Sequence, residues 1–203
     1  MENTGDKNLT KEQRREEQRR ARERAERNEK TKRVLKKVLV WLIVIVLVVL
    51  AIRWLINQFP RGADYSKSFP IQGQDHIAIG ALHPPYNSNP PTSGWHYAAP
   101  ANVGFYDREL PDERLVHNLE HGHIWIAYRP TIPDEIKSQL KKLAGGMAIV
   151  TPRPTNDTDL ALVAWGRLDA FNLDGTPLDS QRIQSFILRY QNKGPEKVGM
   201  PRI

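Results

Sequence analysis

All six histidines of this 203-residue chain lie between His76 and His123, and none occurs elsewhere. His76, His83, His96, His117, His121 and His123 share that stretch with a polar, proline-rich run, Tyr86-Asn-Ser-Asn-Pro-Pro-Thr-Ser-Gly94. Neutral imidazole is the commonest metal ligand and the commonest proton carrier near neutral pH. A cluster this dense is where metal or acid-base chemistry is expected. The plainer alternative is a set of turn and core histidines in one loop-rich segment.

Two segments of the cluster have informative spacing. His117-Asn-Leu-Glu-His121 sets two histidines four residues apart, which on a helix places them on one face, able to grip one ion beside Glu120. As a pattern this is H-x-x-E-H, the order of the inverted zinc peptidases, whose glutamate activates water, so Glu120 is the candidate catalytic base. Glu196, far downstream, is a candidate third, acidic ligand. Against a peptidase stand Gly122 and the β-type run that follow at once, and the small size of the chain. In the second segment, Asn87 to His96, two prolines stiffen a turn-forming run and Gly94 permits a positive φ. Such a loop can present an imidazole rigidly. Ser93 near His96 is the one serine worth naming as a nucleophile, and no oxyanion-donor pattern accompanies it. No phosphate-binding loop or dinucleotide fingerprint is present.

The chain has no cysteine. That fits an exported domain without disulfides and removes thiolate from the available ligands and nucleophiles. A metal must then be held by imidazole, carboxylate, carbonyl or thioether. Met147 and Met200 are conceivable soft ligands for copper but are more simply packing residues.

The elements that must position these residues begin with an unusual N-terminal half. Residues 1–37 hold fourteen Lys or Arg against eight Asp or Glu, net +6, and almost no large apolar side chain. Without an apolar stripe this tail is expected to be disordered or a solvated helix, attracted to anionic lipid head groups. Fifteen apolar residues follow without interruption, Val38 to Ile52, and the run extends to Ile56 with Arg53 as its one charge. That comes close to the roughly 20 residues needed to cross a bilayer. Trp41 and Trp54 lie near its ends, where amphipathic rings favour the interface. The stretch is too long for a signal-peptide core and lacks a cleavage site, so an uncleaved transmembrane helix over 38–56 is expected. The positive-inside rule puts the N-terminus in the cytoplasm and the rest outside, where residues 58–203 carry fifteen basic and fifteen acidic side chains. The charge of +7 is therefore a property of the tail and gives no warrant for nucleic-acid binding.

Residues 57–70 read as a linker, and 71–122 as loop-dominated with short strands. Ile124–Tyr128, Met147–Val150 and Leu160–Trp165 read as strands, with Trp125, Tyr128 and Trp165 as core aromatics. Pro133 opens a helix carrying Ile136, Leu140 and Leu143 that Gly145-Gly146 stops, and Asp179 or Ser180 caps a last helix with Ile183, Phe186, Ile187 and Tyr190. The order predicts a small α+β sandwich: helices on one face of a mainly antiparallel sheet.

Tyr86 to His96, Gly104-Phe-Tyr-Asp107 and Glu113 to Gly122 together resemble the signature of the DUF3105 family, and the likeness runs over about residues 70–198, taking in Ala164-Trp-Gly-Arg167 and Pro195-Glu196. The resemblance implies a bacterial, typically membrane-anchored protein of unassigned function, with the extracytoplasmic domain at 71–198. It also selects His76, His96, His117 and His121 from the six, since His83 and His123 fall at variable positions and Trp95 stands where proline is usual. Four imidazoles without thiolate suit Zn²⁺ or Cu²⁺. The expected function is a membrane-anchored, extracytoplasmic Zn- or Cu-binding domain. A hydrolase using Glu120 and a metal-free interaction domain are the alternatives; protein partners are not legible.

Overall fold

The structure is a computed structural model describing residues 11–57, 62–175 and 177–196. Residues 1–10 of the tail, 58–61 of the linker, 197–198 of the expected domain, and Met200 lie outside the described residues. Among the described residues four helices, α1 (Lys11–Asn57), α2 (Asp112–Glu120), α3 (Asp134–Lys141) and α4 (Ser180–Tyr190), accompany eight strands. The strands are β1 (Lys67–Ser68), β2 (His76–Ile77), β3 (His96–Tyr97), β4 (Gly104–Phe105), β5 (Ile124–Tyr128), β6 (Ala148–Pro152), β7 (Leu160–Ala164) and β8 (Arg167–Phe171). The chain divides into two units, Met1–Asn57 and Gln58–Ile203.

The first unit is the 47-residue helix α1, in which the basic segment and the apolar run are continuous. Its stretch Arg27–Ile56 is long and apolar enough to cross a membrane. Every apolar side chain from Val38 to Ile56 with a large group is exposed, Trp41 and Trp54 to 66% each. In water that surface would be costly, at roughly 25 cal/mol per Å² of apolar area.

In the second unit six strands form one sheet in the order β1-β8-β7-β5-β6-β4. The three pairings from β1 through β8 and β7 to β5 are antiparallel, and those of β6 with β5 and β4 are parallel. The sheet is thus mixed and mainly antiparallel, and the domain is α+β. The central strands β5, β6 and β7 are buried along their whole length. A strand reads as a continuous apolar run when both of its faces are covered. Alternation then sorts the side chains. Ile124, Ile126 and Tyr128 pack with Leu160, Leu162, Ile136, Leu140, Ile183 and Phe186, from α3 and α4. Trp125 and Ala127 pack with Ile149, Ala161, Val163, Leu115 and Leu119, the last two from α2.

This corrects the expectation of helices on a single face: α2 covers the opposite one. The reading of 71–122 as loop-dominated with short strands stands, with α2 added to it. Pro111 opens α2, Asp112 and Glu113 occupy its first turn, and Leu115, Val116 and Leu119 form its buried stripe. Acidic residues near a helix N-terminus complement its partial positive charge. Gly62–Pro70, within the stretch read as linker, is held against the domain. β1 pairs with β8 at the sheet edge, Arg189 donates to the Gly62 carbonyl at 2.7 Å, and Tyr190 bonds Asp64.

Candidate metal centre

The smallest sheet builds the site. β2 and β3 pair in parallel with His76 opposite His96 and Ile77 opposite Tyr97, and the His96 amide donates to the Asp75 carbonyl at 3.1 Å. Residues opposite each other on paired strands project to the same side. The two rings meet edge to face with centroids 4.8 Å apart. The last turn of α2 adds His117, whose ring is 4.9 Å from that of His76, stacked, and 5.0 Å from that of His96. One ring nitrogen from each of His76, His96 and His117 lies within 4.8 Å of the others, close enough for the three to hold a metal ion.

Proline and amide groups make the 86–96 loop rigid, as its composition suggests. Asn87 donates its side-chain amide to the Pro70 carbonyl and its main-chain amide to Gln72 Oε1, while Asn89 donates to the Thr155 carbonyl. Arg153, nearly buried, binds Asp112 through two bonds of 2.9 and 2.8 Å and Asn89 Oδ1 through one of 2.6 Å. One guanidinium thus ties the loop to the start of α2. Gly94 has φ +115°, and a Cβ there would press on the Tyr86 ring at 3.2 Å. Ser93 is fully buried and accepts the Gln72 amide, a structural duty rather than a nucleophile's.

The imidazoles are oriented by main-chain carbonyls. His96 Nδ1 lies 2.7 Å from the Gly94 carbonyl and His117 Nδ1 lies 2.5 Å from that of Tyr97. A carbonyl only accepts, so each Nδ1 carries the proton and each ring presents an Nε2 lone pair. That is how a ligating histidine is commonly fixed. His96 is wholly buried and His117 is 4% exposed. Burial is the main cause that lowers the His117 pKa from 6.5; the neighbouring His121, His96 and His76 lower it further, against the raising effect of the Tyr97 carbonyl.

Glu120 and His121 complete the surroundings. Glu120, 2% exposed, brings Oε2 to 2.9 Å from His96 Nε2 and 3.9 Å from His76 Nε2. His121 caps α2, and its Nε2 is 3.1 Å from His117 Nε2 and 3.2 Å from Glu196 Oε2. His117 and His121 therefore share a helix face, as their spacing allows. Glu120, on the same turn, reaches His96.

The other two histidines stand apart from the trio. His83 stacks on Trp95, lies tilted against Tyr86, and bonds the Pro84 carbonyl and Glu113. His123 bonds the Asn118 carbonyl, and burial lowers its pKa. Met147 is buried beside the sheet, and Trp125 and Tyr128 are core residues. Sequence reasoning missed Tyr97, whose carbonyl orients His117, and Asn118, which bonds both the amide and the carbonyl of Ala101. Main-chain carbonyl roles leave no mark in residue types. The Asn118 bonds do leave one, an amide side chain on the apolar face of a helix.

Fold and site define a small α+β domain with a buried, histidine-rich cluster that can hold a metal ion, preceded by one long apolar helix. A family model described as a protein of unknown function, DUF3105, matches residues 83–201, and the chain belongs to that family. The match begins after His76, so that histidine enters the cluster through the β2–β3 ladder alone. No curated protein and no solved structure matches the chain.

Proposed function

We propose that this protein is a membrane-anchored, extracytoplasmic metal-binding domain for Zn²⁺ or Cu²⁺, with His76, His96, His117 and His121 as its imidazole ligands. The observation that carries the reading is the pair of carbonyl-oriented rings. His96 and His117 are buried, each donates through Nδ1 to the main chain, and each offers Nε2 toward the same small space. Purely structural histidines need no such convergence. The carbonyl end of α2 lies at the same place, and the partial negative charge of a helix C-terminus favours a cation. Nitrogen and oxygen donors without thiolate suit Zn²⁺ and Cu²⁺.

Binding is favoured over hydrolysis by Glu120. Its carboxylate is buried against His96, where it serves as a ligand or fixes the ring, rather than facing solvent as a water-activating base. The helix α1 anchors the domain, with the basic segment on the cytoplasmic side against anionic lipid head groups and the domain outside. The test is metal analysis of the full-length chain purified in detergent. About one or more equivalents of Zn²⁺ or Cu²⁺, lost in the double variant His96→Ala/His117→Ala, is the expected result. A wild-type chain that holds no metal and gains no thermal stability from either ion overturns the proposal.

A further inference from the structure

The cluster contains more donors than one ion needs, and they fall into two sets. Glu120 Oε2 stands 2.9 Å from His96 Nε2 and 3.9 Å from His76 Nε2. His121 Nε2 stands 3.1 Å from His117 Nε2 and 3.2 Å from Glu196 Oε2. Around a tetrahedral ion with bonds of about 2.0–2.1 Å, neighbouring ligand atoms are about 3.3 Å apart. The His117–His121 and His121–Glu196 contacts of the second set meet that spacing closely, and the two Glu120 contacts of the first bracket it. In contrast, the His76 and His117 rings are stacked at an interplanar angle of 18°, so their lone pairs lie in two nearly parallel planes.

Each set also gathers metal-ligating atoms. His96 and His117 direct Nδ1 at carbonyls, so the Nε2 of His96 faces a carboxylate oxygen and that of His117 lies beside His121, which itself meets one. A shared proton satisfies each contact in the metal-free chain, and a cation between the same atoms takes its place.

The delivery of Glu196 is built into the backbone. The Asn192 amide donates to the Gly122 carbonyl at 2.7 Å and the Glu196 amide to the Glu120 carbonyl at 3.1 Å, strapping residues 192–196 across the turn that ends α2. Two glycines permit the approach. A Cβ on Gly194 would stand 2.0 Å from the Glu120 carbonyl oxygen, and one on Gly122 would stand 2.7 Å from Asn192 Cα.

We infer that the centre is dinuclear: His76, His96 and Glu120 hold one divalent transition-metal ion, and His117, His121 and the strap-borne Glu196 hold a second beside it. Adjacent sites of this kind commonly place their ions about 3.5–4 Å apart. Two histidines and one carboxylate leave open positions on each ion, the arrangement of sites that also bind a small anion or water. This inference rests on the metal-binding reading above.

The test is Zn²⁺ stoichiometry on the full-length, metal-stripped chain in detergent, read by calorimetric titration and by metal-to-protein ratio after gel filtration. The wild type is expected to bind two Zn²⁺ per chain, and both Glu196→Gln and His76→Ala to bind one. Glu196 is 58% exposed on its side chain and His76 48%, so neither substitution disturbs the core. One Zn²⁺ in the wild type, or two in Glu196→Gln, overturns the dinuclear assignment while the metal-binding reading stands. No Zn²⁺ in the wild type, with none of Cu²⁺ either, overturns both.

Discussion

His76 and His96 are register partners in a two-residue parallel ladder, yet one is half exposed and the other is wholly buried. Their equal place in the cluster therefore goes with unequal structural duty. His96 fills the core side of the site and bonds both Gly94 and Glu120, whereas His76 closes it from outside. Metal capture and fold stability are thus separable by mutation.

His96→Ala is expected to destabilise the metal-free domain by about 1–3 kcal/mol, because it leaves the buried Glu120 carboxylate without its imidazole partner. His76→Ala is expected to stay within about 0.5 kcal/mol, as for most exposed substitutions. Both should weaken metal binding. Urea melts beside metal titrations check the contrast, and equal stability losses in the two variants would refute it.

Arg153 joins three segments through one side chain: Asp112 at the start of α2, Asn89 in the rigid loop and Asn156 beyond β6. Arg153→Lys keeps the charge but cannot keep the two-pronged geometry. A loss of about 1.5–3 kcal/mol is expected, with faster proteolysis within residues 86–96. Limited proteolysis with mass mapping reads the second effect, and an unchanged cleavage rate would show that the loop is held by other bonds.

Much of this arrangement was legible in the chain, and the illegible parts share a cause. β5 is legible because five apolar residues between punctuating residues leave little choice, and Asp179 caps α4 through its side-chain bond to the Arg182 amide. β2 and β3 have two residues each, too few for any periodicity, so the ladder that joins His76 to His96 could not be read. α2 has nine residues inside a Pro-, Gly- and Asn-rich stretch, and its stripe is only two turns long. β8 escaped because Asp169 interrupts it, a buried acid that the fold satisfies with Arg182 from α4. The histidine density pointed to the site; its division into subsets depends on which way rings face, which is tertiary information.

The two glycines under the strap should be among the least replaceable residues of the domain. Gly194→Ala places a Cβ against backbone rather than a yielding side chain, and Gly122→Ala adds the cost of φ +79°. Overpacking of this kind costs about 1–3 kcal/mol, and the left-handed backbone adds about 1 more at Gly122. Denaturant unfolding should rank Gly194→Ala as the worse of the two, because its Cβ falls 2.0 Å from the Glu120 carbonyl oxygen and 2.4 Å from the Gly122 amide nitrogen, against 2.7 Å for the nearest atom at Gly122. Hydrogen exchange should show the Asn192 and Glu196 amides unprotected in both. Retained protection would mean that the strap is fixed by other contacts.

Acid should weaken the metal-free domain as pH falls below about 6.5. His117 and His123 both have pKa values lowered by burial in the fold, while in the unfolded chain they return to about 6.5. Below that pH the unfolded state binds these protons first, so stability falls as pH falls, and continues to fall until the lowered folded values are passed. Their contribution is intact above about pH 6.5. Thermal melts of the metal-stripped chain from about pH 7.5 to about pH 5.5 should therefore show a falling Tm. His123→Gln, which removes one of the two groups and lies outside the cluster, should make the slope shallower. A Tm that is flat or rises across that window would mean that these rings are charged, or exposed, in the folded state.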